Sequence, residues 1–97
     1  MVIPIYSKKY LAKTISEIKS TQYSGKKVKL RGWISKKRSL KQKIFLVLRD
    51  STGHIQTVTS SDSKAWKSAE EITTESSCFI EGIVKKDPRA PDGYELI

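Results

Sequence analysis

At 97 residues the chain allows one small domain with a single core. A 37% hydrophobic share that follows regular periods argues against disorder, and no apolar run approaches the roughly 20 residues of a membrane span. Net charge is +9, and it is one-sided: residues 1–44 hold 13 Lys and Arg against the single acid Glu17, residues 45–97 only 6 against 9 acids. A cation excess confined to one half predicts a polyanionic partner; the alternative is a lysine-rich solvated surface of the kind found in heat-adapted proteins.

Residues 1–13 read as an N-terminal extension, and MVIPIYSKK lacks the charged start and apolar stretch of a secretory signal. Thr14-Ile15-Ser16-Glu17 fits a capping box, and Leu11, Ile15 and Ile18 share one helical stripe, so a short helix is expected over 14–21. Ser24-Gly25 ends it. Val28, Leu30, Gly32 and Ile34 then alternate with Lys27, Lys29, Arg31 and Trp33, which predicts a first strand near 27–36, bent or bulged at Gly32. The cationic stretch from Lys36 to Lys43 is expected as a loop.

The most informative stretch is Lys43–Gln56, KIFLVLRDSTGHIQ, which reads as a β-hairpin turning at Asp50–Gly53. If Ile44, Leu46 and Leu48 face the core, Phe45 faces out. With Ile55 inward on the returning strand, Gln56 faces out beside it. A second helix is expected over 63–72, started by Ser60–Ser63, with Ala65, Ala69 and Ile72 as its stripe and Trp66 beside them. Ser77–Val84 is a fourth strand interrupted by Gly82. Asp87–Gly93 is a loop built by two prolines and a glycine, and Tyr94–Ile97 begins a fifth strand.

Five short strands with a helix between the third and fourth make an all-β chain in the element order of the five-stranded Greek-key OB-fold barrel. That fold binds oligonucleotides across strands two and three and the loops beside them. An outward ring (Phe45), a neighbouring amide (Gln56) and a basic approach (Lys36, Lys37, Arg38, Lys41, Lys43) supply stacking, hydrogen bonding and charge for an unpaired base. Trp33 falls on the outer face by parity yet is read as structural, as is Trp66. Cys78, the lone cysteine, lies in an apolar run and is expected in the core, which fits a reducing, cytoplasmic setting. His54 stands alone among histidines, so no zinc site and no catalytic triad is expected, nor any cofactor.

The ordered set KVKLRGWISKKRS, KIFLVLRDSTGHIQ and ESSCFIEGIVKKDPRAPDGYEL resembles the N-terminal anticodon-binding OB domain of class IIb aminoacyl-tRNA synthetases. These are the aspartyl, asparaginyl and lysyl enzymes, and the asparaginyl one is the most similar. The resemblance covers about residues 14–97. It implies that Phe45 stacks on the central uridine of an anticodon and that Gln56 hydrogen-bonds that base. Arg38, closing the basic run, and Glu95, in the fifth strand, would also contact the anticodon loop. The family continues into a class II catalytic domain that these residues lack, so the chain is expected to be either one piece of such an enzyme or a free-standing relative. Ending inside a strand favours the piece. A general binder of single-stranded RNA or DNA and a basic protein-interaction module are the competing functions. Neither needs both a stacking ring and a placed amide.

Overall fold

In a computed structural model, which describes residues 2–3, 14–19, 23–90 and 93–97, the elements run β1 (Val2–Ile3), α1 (Ile15–Ile18), β2 (Lys27–Ser39), β3 (Lys43–Asp50), β4 (Gly53–Ser60), α2 (Trp66–Glu71), β5 (Ser77–Lys86) and β6 (Tyr94–Leu96). Five of the strands close on themselves. β2 pairs with β3, β3 with β4, β4 with β6, β6 with β5, and β5 back with β2. Of these pairings only β4–β6 is parallel. This is the expected OB-fold barrel, with α2 between its third and fourth strands. β1 is an addition to the five expected strands: Val2 and Ile3 pair with Ile80 and Phe79 on the edge of β5 that further along holds β6. The remainder of the 1–13 extension, Leu11 included, lies outside the described residues.

Alternation makes the core. Ile44, Leu46 and Leu48 on β3 are at most 1% exposed, and Val28, Leu30 and Ile34 meet them from β2. Cys78 lies among them as expected, its thiol pushed up to about 11 by burial and so held protonated. Gly32 does not bulge the strand. A Cβ there would collide with the carbonyl oxygen of Arg49, so the glycine is what lets β2 and β3 approach each other. The bulge comes later, where Ile34 pairs with Leu48 but Lys36 pairs with Val47, leaving Ser35 as the extra residue. Its hydroxyl donates to the Val47 carbonyl at 3.3 Å.

Both helices are short and held from outside. The capping box does not form. Thr14 caps no backbone group, its hydroxyl going to the Glu17 carboxylate at 3.3 Å. Asp50 and Thr52 of the β3–β4 turn take over, accepting from the Ile15 N–H at 2.9 Å and the Ser16 N–H at 3.1 Å. A four-residue helix is far too short to stand alone; Ile15 and Ile18, both 0% exposed, anchor it in the core, each burial contributing about 1.5–3 kcal/mol. α2 spans six residues rather than ten. It packs on β3 and β4 with Ala69 buried, and the Ser63 hydroxyl accepts from the Ala65 N–H just ahead of it.

Candidate nucleic-acid interface

The outward residues of the barrel strands form rows fixed by the register. One row runs Arg38 on β2, Phe45 on β3, Val58 on β4. The next runs Lys36, Val47, Gln56, then Glu95 on β6 and Lys85 on β5. Phe45 and Gln56 are thus on one face, in adjacent rows of adjacent strands. The parallel β4–β6 pairing sets Glu95 directly beside Gln56. Five of these residues (Phe45, Gln56, Val58, Lys85 and Glu95), with Lys43, Asp87, Arg89 and Ala90, enclose a cleft of about 310 Å³.

The cleft sorts polarity. Its floor holds the Phe45 ring, the Gln56 amide and the largely buried Glu95. A ring stacks on any base, and an amide offers both a donor and an acceptor. A carboxylate accepts from base N–H groups while repelling phosphate. The rim carries Lys43 and Lys85 and suits the backbone of the strand. Arg89 is tied to Asp87, whose Oδ1 accepts from the Arg89 N–H at 2.9 Å and from Nε at 3.3 Å. The backbone N–H of Arg89, then its guanidinium, hold the Asp87 carboxyl below its ordinary value, with burial opposing and the charges of Arg89 and Lys85 assisting. That local bonding holds residues 87–90 against the cleft, and Gly93, at a φ of +80°, leads into β6. Lys85, Asp87 and Arg89 were not among the residues expected from sequence. The Asp-x-Arg pattern in a proline- and glycine-bearing loop was the available signal.

The basic run splits. β2 continues through Ser39, so the expected Lys36–Lys43 loop shrinks to residues 40–42. Lys36 and Arg38 stand on the cleft's face, Lys41 at the exposed loop and Lys43 on the rim. Lys37 points the other way, its ammonium donating to the Glu70 carbonyl at 2.7 Å and the Ile72 carbonyl at 2.9 Å, at the end of α2. These placements separate three lysines experimentally. Lys36→Gln with Lys41→Gln should weaken every RNA alike and flatten the slope of log K against log salt by about 0.7 for each phosphate no longer neutralised. Lys37→Gln should cost up to about 1 kcal/mol of stability, as removing a cation from a helix C-terminus does, with the slope intact. Salt titrations and thermal melts read both. A slope unmoved in the double variant removes Lys36 and Lys41 from the interface.

Trp66 packs against the core, as expected. Among the described residues no group of His, Cys, Asp and Glu is placed to hold a metal, and no helix is long and apolar enough to cross a membrane.

A family model described as an OB-fold nucleic acid binding domain, of the tRNA anti-codon type, matches residues 28–97. The asparagine–tRNA ligase of Thermococcus kodakarensis is 51% identical over 77 residues, which are 77% of this chain and 18% of that protein. The corresponding ligase of Thermococcus gammatolerans is 48% identical over the same shares. Among solved structures, the asparaginyl-tRNA synthetase of Pyrococcus horikoshii superposes with a TM-score of 0.78 at 39% identity, over 88% of this chain and 21% of that one. The chain therefore spans about a fifth of the length of these relatives.

Proposed function

This chain belongs to the family of tRNA anti-codon OB-fold nucleic acid binding domains, and on that premise we propose that its cleft reads the anticodon loop of a tRNA on behalf of an asparaginyl-type ligase. The observation that carries the reading is convergence. Phe45, Gln56 and Glu95 come from three strands, at separations of 11 and 39 residues, and line one cleft. In this reading Phe45 stacks under the central base and Gln56 pairs with its edge. Glu95 accepts from a base N–H nearby, while Arg38, Lys36, Lys41 and Lys43 take phosphates. The ligase chemistry would belong to a class II catalytic domain in the same chain, and no cofactor enters this domain's part.

Uracil presents an acceptor and a donor that one amide can meet together, whereas cytosine presents the pattern reversed. Binding of the wild-type chain to two anticodon hairpins, one with a central uridine and one with cytidine there, tests the proposal at fixed salt. Uridine should be favoured by about 1–3 kcal/mol, the range of a good two-point base contact. Equal binding would leave a general single-strand binder in place of an anticodon reader.

A further inference from the structure

Across β2, β3 and β4 the outer face carries one more row of side chains than the cleft uses. Trp33, Arg49 and His54 are consecutive register partners across β2, β3 and β4. Alternation along β3 keeps Phe45, Val47 and Arg49 on one side, opposite the buried Ile44, Leu46 and Leu48. The extra row thus continues the cleft's face, and four residues of strand set it about 13 Å from Phe45. Arg49 is exposed, and Trp33 and His54 are half-buried.

We infer that this row is a second contact site for the same single strand of RNA, a reading that rests on the proposed function. In it the Trp33 ring supports a base and the Arg49 guanidinium holds a phosphate, with the His54 imidazole hydrogen-bonding beside it. The first reason is size. OB folds engage about 4 nucleotides or more, whereas a 310 Å³ cleft is at the small end of small-molecule sites and takes a base or two. The rest of the strand must cross the face somewhere. The second is charge. Among the described residues Arg49 makes no ion pair; alternation along β3 turns the neighbouring Asp50 to the other side, where it is occupied by Ile15, Thr52 and Gly53. An unpaired guanidinium is weakly hydrated and presents a donor fork that matches a phosphate. The third is the indole. Trp66 is packed against the hydrophobic core, whereas Trp33, half-buried on the outer face, stands beside a cation on a face already suited to stacking.

The two tryptophans make the test direct. In nitrogen-15 spectra of the 97-residue chain, Trp33→Phe identifies which of the two indole N–H resonances belongs to Trp33. Adding the uridine-centred anticodon hairpin should move that resonance and the Arg49 and His54 amides along with those of Phe45 and Gln56, while the Trp66 indole stays still. Arg49→Gln, with an unchanged melting temperature, should weaken the hairpin about 3- to 10-fold, the scale of one solvent-exposed hydrogen bond. It should also flatten the salt slope by about 0.7 and leave a uridine-centred trinucleotide unaffected. Movement at Phe45 and Gln56 alone, with an unchanged slope in Arg49→Gln, overturns the second site and leaves the cleft standing. An equal loss for hairpin and trinucleotide overturns it too, since Arg49 would then act through the cleft. A hairpin that moves none of these resonances overturns the anticodon reading itself, and this site with it.

Discussion

Phe45→Ala is expected to lower affinity for every single-stranded RNA that reaches the cleft, by roughly 5- to 150-fold, while the fold stays intact. Stacking on an aromatic platform contributes about 1–3 kcal/mol per base. The ring lies outside the buried row of β3, so its loss opens no core cavity. Because every base has a π-face, the loss should be nearly the same for uridine- and cytidine-centred hairpins. Gln56→Ala separates from it cleanly. Its affinity should fall mainly for the uridine hairpin, closing the gap between the two. Isothermal titration of both variants against both hairpins gives four numbers and one pattern. If Phe45→Ala narrows the gap instead, the ring and not the amide carries base choice, and the assignment of roles is wrong.

The second large effect concerns stability and its pH dependence. Asp50 gathers four donors: Oδ2 accepts from Ile15 N–H at 2.9 Å, and Oδ1 from Thr52 N–H at 2.7 Å, Thr52 Oγ1 at 2.6 Å and Gly53 N–H at 3.1 Å. One carboxylate closes the β3–β4 turn and pins α1 to it. Hydrogen bonds to charged groups contribute about 1.5–3 kcal/mol each when well shielded. This site is partly open to water, which replaces some of them, so Asp50→Ala should cost about 2 kcal/mol in total. Burial pushes the Asp50 carboxyl upward, but the Thr52 hydroxyl and the N–H groups of Ile15, Thr52 and Gly53 outweigh it and leave it below its ordinary value. A carboxyl depressed by folding contributes stability that is present above its unfolded value of about 3.9 and is lost as pH falls from there through the folded value. Urea melts should therefore find the gap between wild type and Asp50→Ala full at pH 7 and shrinking below about pH 4. Asp87, also depressed, is common to both chains and cancels. A gap that holds constant into acid would mean that the charge on Asp50 is idle.

Local periodicity determined a good part of this protein. The alternation of β3 already separates Ile44, Leu46 and Leu48 from Phe45, because successive strand side chains must face opposite sides whatever lies across from them. The same rule turned Gln56 outward, and the cationic run from Lys36 to Lys43 stands out in the sequence itself. Element order was enough for the barrel. What alternation along one strand could not carry was anything set by a distant partner. Carrying the inward parity of Val28, Leu30 and Ile34 onward would have turned Lys36 and Arg38 away from Phe45. The bulge at Ser35 reverses that parity, setting Lys36 and Arg38 on the face of the cleft and sending Lys37 to α2. Glu95 reaches Gln56 only through parallel pairing across 39 residues, and α1 is capped not by Thr14 but by a carboxylate 35 residues away. A strand's period is a property of its own backbone, so it is written in consecutive residues. A bulge, a strand partner and a borrowed cap are settled by which segments the closed barrel brings together.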